Sequence, residues 1–329
     1  MIERMGFLTL GLFSPEDPRG GHEDTLRMIE LGEQLGFDSA WLRHRHLQHG
    51  ISSPVAVMAA ATQRTSRIEL GTAVTPLGAE NPFRLAEDLA TVDVLSGGRI
   101  NPGFSVGPPM NYERYRAAIH PYGEEELGYP RLERFLAYIS GEPVSEFEGT
   151  IGIETFSRRV QPQSPGLRSR VWYGAGSLTS AHWAGVHGLN LLTSSVVKAE
   201  GSSDDFATIQ RRQIDEFRSC NPSGRVSQGL VVIPTDSATP SQVERYRAYA
   251  EERLPRTTEP QGPPGLLFSP DFVGTSAEIA ERLAEHAGFQ AVTEVAWALP
   301  FTFEPDDYTQ ILTDMAHALG PALGWSPRG

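Results

Sequence analysis

Cysteine is all but missing. Among 329 residues only Cys220 carries a thiol, so no internal disulfide can staple the fold. It stands just before Asn221-Pro222 at a predicted helix end and is not read as a reactive thiol. Basic residues are also in deficit: 28 Lys and Arg against 41 Asp and Glu leave a formal net charge of −13. That balance argues against nucleic acid and anionic membranes as partners. No hydrophobic run reaches the length of a membrane span, and Met1-Ile2-Glu3-Arg4-Met5 lacks the basic start and apolar stretch of a signal peptide. A cytoplasmic protein is expected.

What is present is a rhythm. Apolar stretches with strand character occur at 5–13, 37–42, 68–74, 99–106, 171–175, 189–193, 229–234 and 292–297, and helical spacing follows them. Gly36-Phe37-Asp38, Gly188-Leu189-Asn190 and Gly288-Phe289-Gln290 repeat one junction, in which a glycine ends a helix and turns the chain into a strand. Helices are predicted to begin at Pro54, Asn81, about Glu124, Asp204 and about Asp306, among others. Pro102 removes a ladder donor and predicts an interruption in the fourth strand. Eight βα units in 329 residues predict a single α/β domain spanning 1–329, a (β/α)8 TIM barrel. Residues 141–170 and 254–270 break the rhythm and are expected to be insertions after the fourth and seventh strands, the second covering the active site. On this fold the chemistry lies just past the strand ends, which directs attention to Arg43 to His46, Thr75-Pro76, Ser105 to Pro108 and Ala175 to Ser177.

The chain seems organised around Val171-Trp172-Tyr173-Gly174-Ala175-Gly176-Ser177-Leu178-Thr179-Ser180. Strand-forming residues run into a small-residue turn and then a helix. The free N–H groups of a helix start suit an anion, so a phosphate-bearing cofactor is one reading. The other is a plain turn in which Ser177 or Thr179 caps the helix.

Four stretches in order resemble the bacterial luciferase-like monooxygenase family: Gly36 to Leu42, Ile68 to Val74, Asp93 to Arg99 and Gly174 to Ser177, with Gly274 to Leu283 as a fifth. The resemblance implies a (β/α)8 flavin enzyme that uses FMN, supplied reduced by a separate and transiently bound reductase. It also implies oxygenation of a small apolar organic substrate with O2, with secondary metabolism as a setting, and a homodimer. By resemblance Gly174, Ala175, Gly176, Ser177, Thr179 and Ser180 hold the FMN phosphate. The isoalloxazine packs at Thr72, Ala73 and Val74, with a cis peptide between Ala73 and Val74, and Ser105 stands where some relatives have a cysteine.

The departures concern chemistry. Arg45 occupies the position of the family's first histidine, His46 matches the second, and His44 replaces an acidic residue. Arginine does not exchange protons near neutral pH, so proton transfer falls to His46 or His44. Val106 replaces an arginine that some relatives direct at the phosphate, which implies weak affinity for oxidised FMN. No metal site is expected, because no carboxylate spacing accompanies His44, His46 and His49. Gly174-Ala175-Gly176 lacks the rest of a dinucleotide fingerprint. Two other functions stay open: a deazaflavin-dependent oxidoreductase on the same barrel, or a non-catalytic flavin-binding relative.

Overall fold

The computed structural model describes residues 1–121, 127–200 and 205–328. Its strands in chain order begin with Arg4–Thr9 and Ser39–Leu42. The third is Glu69–Thr72 continuing as Thr75–Pro76, and the fourth is Ile100–Asn101 continuing as Gly103–Ser105. Trp172–Gly174, Asn190–Thr193, Val226–Gln228 and Glu294–Ala298 follow as fifth to eighth. All pair in parallel with their sequence neighbours, and the eighth returns to the first through Arg4↔Glu294 to Leu8↔Ala298. The sheet curls until its two divided strands meet: Leu70 pairs with Ile100, and Thr75 with Phe104. Pro102 divides the fourth strand, and its carbonyl accepts from Trp172 N–H.

Helices lie between strands and begin where the sequence supplies stops and caps. Pro82–Ser96 starts on Asn81, whose side chain accepts from Phe83 and Arg84 N–H, and ends on left-handed Gly97. Pro18–Gln34 starts on Asp17, whose carboxylate accepts from Gly20 N–H, and buries Leu26 and Ile29. The main core sits between helices and sheet, with Phe7, Phe37, Ile68 and Trp297 among its members.

Inside the curl, alternate residues form layers. At one end Arg4, Glu69, Arg225 and Glu294 make an ion-paired floor, with Arg4–Glu69 at 2.7 Å and Arg225–Glu294 at 2.9 Å. Above it Trp41 and Trp172 meet edge to face, centroids 5.3 Å apart, and Trp172 Nε1 donates to Asn101. Above these come Leu192 and Ala296, with Leu8, Ala73 and Val74 packed against the tryptophans.

Two expectations are corrected, and two expected helix starts lie outside the described residues. The seventh strand of the sheet is Val226–Gln228, not 229–234; Val232–Pro234 leaves the sheet and pairs with Phe272–Gly274. The true strand is inconspicuous because Ser227 and Gln228 are polar, yet both are buried, and Gln228 donates to Gln210. Gly36 and Gly188 turn with φ of +85° and +62°. Gly288 does not: its φ is −65°, and it is required because a Cβ would lie 2.5 Å from Gln210 Oε1. Finally, the helix expected from Glu124 is described from Tyr129 to Ile139 and the one from Asp204 from Phe206 to Cys220; both expected starts lie outside the described residues.

Residues Gly149–Ile151 and Glu154–Phe156 form the exposed hairpin that their alternation suggests. In the proline-rich stretch Leu266–Phe268 pairs with Val196–Lys198, which ties it to the chain beyond the sixth strand.

Candidate active site

Past the ends of the second and third strands, four polar side chains converge. His44 and His46 lie with ring centroids 4.6 Å apart, and His46 is 5.9 Å from the Tyr115 ring. Glu80, just before the helix Pro82–Ser96, brings its carboxylate 4.0 Å from His44 Nε2. Arg131 fixes that position by donating to the Glu80 carbonyl from Nε at 2.9 Å and Nη2 at 2.6 Å.

His44 is 1 % exposed, and neither of its ring nitrogens has a hydrogen-bond partner; His46 Nε2 is likewise unpartnered. The Ser52 backbone is close enough to favour the charged form of His44, without hydrogen-bond alignment. Burial, then the neighbouring charges of His46 and Arg45, push His44 down to about 4. Burial and Arg45 lower His46 as well. Burial raises the Glu80 carboxyl, with Asp88 adding to it and Arg131 opposing. Both imidazoles are therefore neutral at pH 7, and their free nitrogens can take up a proton.

The absence of a carboxylate beside these histidines is a second premise the structure corrects. Ligand atoms of His44, His46 and Glu80 all lie within 4.8 Å of one another. Sequence spacing could not reveal this, because Glu80 comes from the next βα unit. The Arg45 charge that depresses both histidines also opposes a divalent cation, which leaves proton transfer as the chemistry favoured by the electrostatics.

His44 makes stability pH-dependent with a definite sign. The unfolded side chain protonates near 6.5 and the folded one near 4, so the unfolded state binds more protons between those values. Stability should fall as pH drops through that window, by roughly 3 kcal/mol in all, and level off below it. Glu80, raised by burial, acts in the opposite direction. Urea midpoints at pH 7 and pH 4.5 should therefore differ less in His44→Gln than in the parent; an equal difference would reject the assignment.

The shelf expected for a flat ring is formed by Ala73 and Val74, whose peptide bond is cis. Thr72 lies beneath it, 1 % exposed, its hydroxyl accepting from Gly103 N–H and donating to the Gly103 carbonyl, both at 2.9 Å. Gly174 faces this shelf directly: a Cβ there would come 2.7 Å from Val74 Cγ1. Ser105, half-buried, ends the adjoining strand opposite Pro76.

At the rim of the fifth strand, Ser177 caps the helix Leu178–Val186. Its hydroxyl accepts from Ser180 N–H, and Ser180 Oγ accepts from Ser177 N–H. Ala175 is buried, Thr179 is exposed, and open space lies over Gly176. The capping reading of this turn holds, with Ser177 as the cap, and the helix start also receives an anion from the chain itself. The anion is the carboxylate of Glu200, which accepts from Leu178 N–H at 2.7 Å. Lys198, the only lysine in the chain, stands beside it and donates its N–H to the Gly176 carbonyl. Glu80, Glu200 and Lys198 escape a reading of the sequence; a lone lysine beside an acidic residue was the available signal.

The proline-rich stretch reaches this rim, with Ala199 N–H donating to Gly265 O and Ser269 N–H to Ser195 O. A cavity of about 630 Å³ lies off the barrel axis, between the helix Pro18–Gln34 and Pro305–Asp314, and is lined by Thr9, Leu12, Met28, Leu299, Phe303 and Tyr308 among others. It does not include the Ala73–Val74 shelf.

Two neighbouring histidines, a cis-peptide shelf and a helix start that accepts a carboxylate thus lie past the strand ends of the curled parallel sheet. The model of the luciferase-like monooxygenase family matches residues 4–293, and the chain belongs to that family of flavin-dependent enzymes. It is 42 % identical over 265 residues to limonene 1,2-monooxygenase of Rhodococcus erythropolis, covering 76 % of this chain and 64 % of that protein. It is 28 % identical over 204 residues to 4-hydroxyprotoasukamycin monooxygenase of Streptomyces nodosus subsp. asukaensis, covering 61 % and 55 %. The alignments thus span less than two thirds of these relatives. F420-dependent glucose-6-phosphate dehydrogenase of Intrasporangium calvum is 30 % identical over half of each chain. Among solved structures, apo-MsnO8 superposes with a TM-score of 0.73 at 19 % identity over both full chains. The FMN complex of the oxygenating constituent of 3,6-diketocamphane monooxygenase from Pseudomonas putida gives 0.65 at 15 %, over 98 % of this chain and 99 % of that one. These two likenesses support the curled parallel fold alone. Among the described residues no helix is long and apolar enough to cross a membrane.

Proposed function

We propose that this protein is an FMN-dependent monooxygenase that takes reduced flavin from a separate reductase and, with O2, adds one oxygen atom to a small organic substrate. One observation carries the reading. The Ala73–Val74 shelf, held against Gly174, shares a strand end with a helix start that already accepts an anion. A flat ring and its phosphate tail call for those two kinds of feature, an apolar shelf and a set of free N–H donors. We read the frame as an eight-stranded barrel with insertions after the fourth and seventh strands, working in the cytoplasm as a homodimer.

Ala73 and Val74 would carry the ring, and Gly176, Ser177, Thr179 and Ser180 the phosphate. The bound flavin supplies the oxygen chemistry. The protein's own residues do the rest. Trp41, Trp172, Leu192 and Ala296 close the barrel below the shelf and keep water out. His44 and His46, neutral with unpartnered nitrogens, hold or pass a proton, and the Glu80 carboxyl stands next in line. Burial keeps both imidazoles in the neutral form, and the Arg45 charge adds to it.

Glu200 occupies a donor that a phosphate would use, so like charges compete for the helix start. Glu200→Gln should tighten FMN about tenfold, the equivalent of 1.4 kcal/mol, and leave riboflavin unchanged. Fluorescence titration checks it, and an equal effect on riboflavin would remove the phosphate from Ser177. The function itself is tested by mass spectrometry of candidate substrates incubated with reduced FMN and O2, beside reduced F420 without O2. A gain of one oxygen atom in the first arm supports the proposal; hydride transfer in the second would make the protein a deazaflavin oxidoreductase. No turnover in either arm over a broad substrate panel would favour a flavin-binding relative.

A further inference from the structure

Two arginines at the barrel mouth have no acidic partner. Trp41 lies inside the barrel, and alternation along the strand places Arg43, two residues further on, over the same face, where the backbone still pairs through Arg43 N–H to Thr9 O. The Arg43 guanidinium donates to Gln48 and sits 5.3 Å from the centre of the Phe301 ring. Arg45 donates from Nη1 to the His44 carbonyl, and its Nε is buried without a partner. Burial and the mutual repulsion of the pair hold Arg43 down to about 10, and burial lowers Arg45. No carboxylate among the described residues forms an ion pair with either.

Acidic residues outnumber basic ones by 41 to 28, and other partly buried arginines are compensated in one of two ways: Arg170 pairs with Asp93, Arg225 with Glu294 and Arg253 with Asp271, while Arg99 donates to several backbone carbonyls. The Arg43 and Arg45 side chains make a single hydrogen bond each. Desolvated guanidiniums placed side by side without an anion raise the energy of the empty protein. The cost is recovered when a ligand brings the missing charge, and a carboxylate matches the guanidinium fork in two hydrogen bonds. Phe301, beneath Arg43, also lines a cavity of about 500 Å³ with Tyr249, Arg253 and Arg256. Arg256 Nε, like that of Arg45, is buried without a partner.

We infer that Arg43 and Arg45 form an anion clamp for the substrate, which therefore carries a carboxylate on its otherwise apolar body. This rests on the proposed reading of the mouth as the flavin site. The phosphate of the flavin is the other anion to consider, and the topology disfavours it here. The arginines follow the second strand and the Ser177 helix start follows the fifth, three strands around a ring of eight. A clamp of this kind selects molecules by their charged end and leaves the apolar body to the rest of the site.

The test is calorimetric titration of the full chain, with and without FMN, using acetate, benzoate and octanoate, each beside its neutral amide. At least one carboxylate should bind tenfold or more tightly than its amide in the flavin-free protein. Arg43→Gln and Arg45→Gln should each reduce that preference about tenfold and change FMN affinity less than twofold. Arg43→Lys, which keeps the charge and loses the fork, should recover part of it and guards against misfolding. Carboxylates that bind no better than their amides would overturn the clamp. So would variants that lose FMN affinity and keep the carboxylate preference, since the arginines would then serve the flavin. Failure of FMN to bind the parent protein would instead reject the flavin reading, because the preference is measured without it.

Discussion

Asp93→Ala is expected to lower folding stability by roughly 3–5 kcal/mol, the range for removing one partner of a buried ion pair. Asp93 is fully buried in the helix Pro82–Ser96 and gathers three donors. Arg170 Nη2 reaches it at 2.6 Å, the Ser164 hydroxyl shares that oxygen, and Ile100 N–H reaches the other at 3.1 Å. Arg170 in turn donates to the Ile100 carbonyl. One carboxylate thus joins a helix, the start of the fourth strand and the segment leading to the fifth. Alanine leaves Arg170 Nη2 without its carboxylate and the Ile100 N–H without an acceptor, and both costs fall on the folded state. Urea unfolding of the parent, Asp93→Ala, Arg170→Met and the double variant provides the check. The double variant should lose less than the two singles together, since removing both partners leaves no unpaired charge. Additive losses would mean that the pair is not the source. Asp93 lies at the opposite end of the fourth strand from the shelf, so the folded fraction should retain its FMN affinity.

This explains what Asp93 to Arg99 contributes to the family resemblance. Arg99 donates to the carbonyls of Ser96, Ile68 and Thr65, and Gly97 and Gly98 turn with positive φ. The segment is a structural latch. Much of the fold was legible because its signals are local. Glycine turns at 36 and 188, the cap at Ser177 and the proline break at 102 each act within a few residues. The seventh strand was missed because its buried faces are polar: Gln228 donates to Gln210, a partner eighteen residues away that hydropathy cannot register. The site divides the same way. His44, His46 and the Ala73–Val74 shelf sit at strand ends and can be found by counting. Glu80 and Glu200 act through contacts between neighbouring βα units, with His44 and Leu178 respectively, and only folding brings them there.

Gly103→Ala should cost about 3 kcal/mol or more and also weaken flavin binding at least tenfold, because it drives apart two strands that carry the shelf. A Cβ on Gly103 would overlap the Thr72 carbonyl oxygen and come 3.0 Å from Leu192 Cδ1. The first obstacle is backbone and cannot rotate away. The Thr72 hydroxyl bonds both the N–H and the carbonyl of Gly103, so any retreat of one strand breaks a reciprocal pair of hydrogen bonds. Thr72 immediately precedes Ala73, and the displacement passes directly to the shelf. Gly176→Ala supplies the contrast. Nothing lies within 4 Å of its added methyl, so stability should be unchanged, while the methyl occupies the open space proposed for the phosphate. Urea unfolding and FMN fluorescence on both variants separate the two glycines. Gly103→Ala should fail both measurements and Gly176→Ala only the second. Unchanged FMN affinity in Gly176→Ala would place the phosphate elsewhere. Unchanged affinity in a folded Gly103→Ala would show that the flavin does not depend on the Ala73–Val74 shelf.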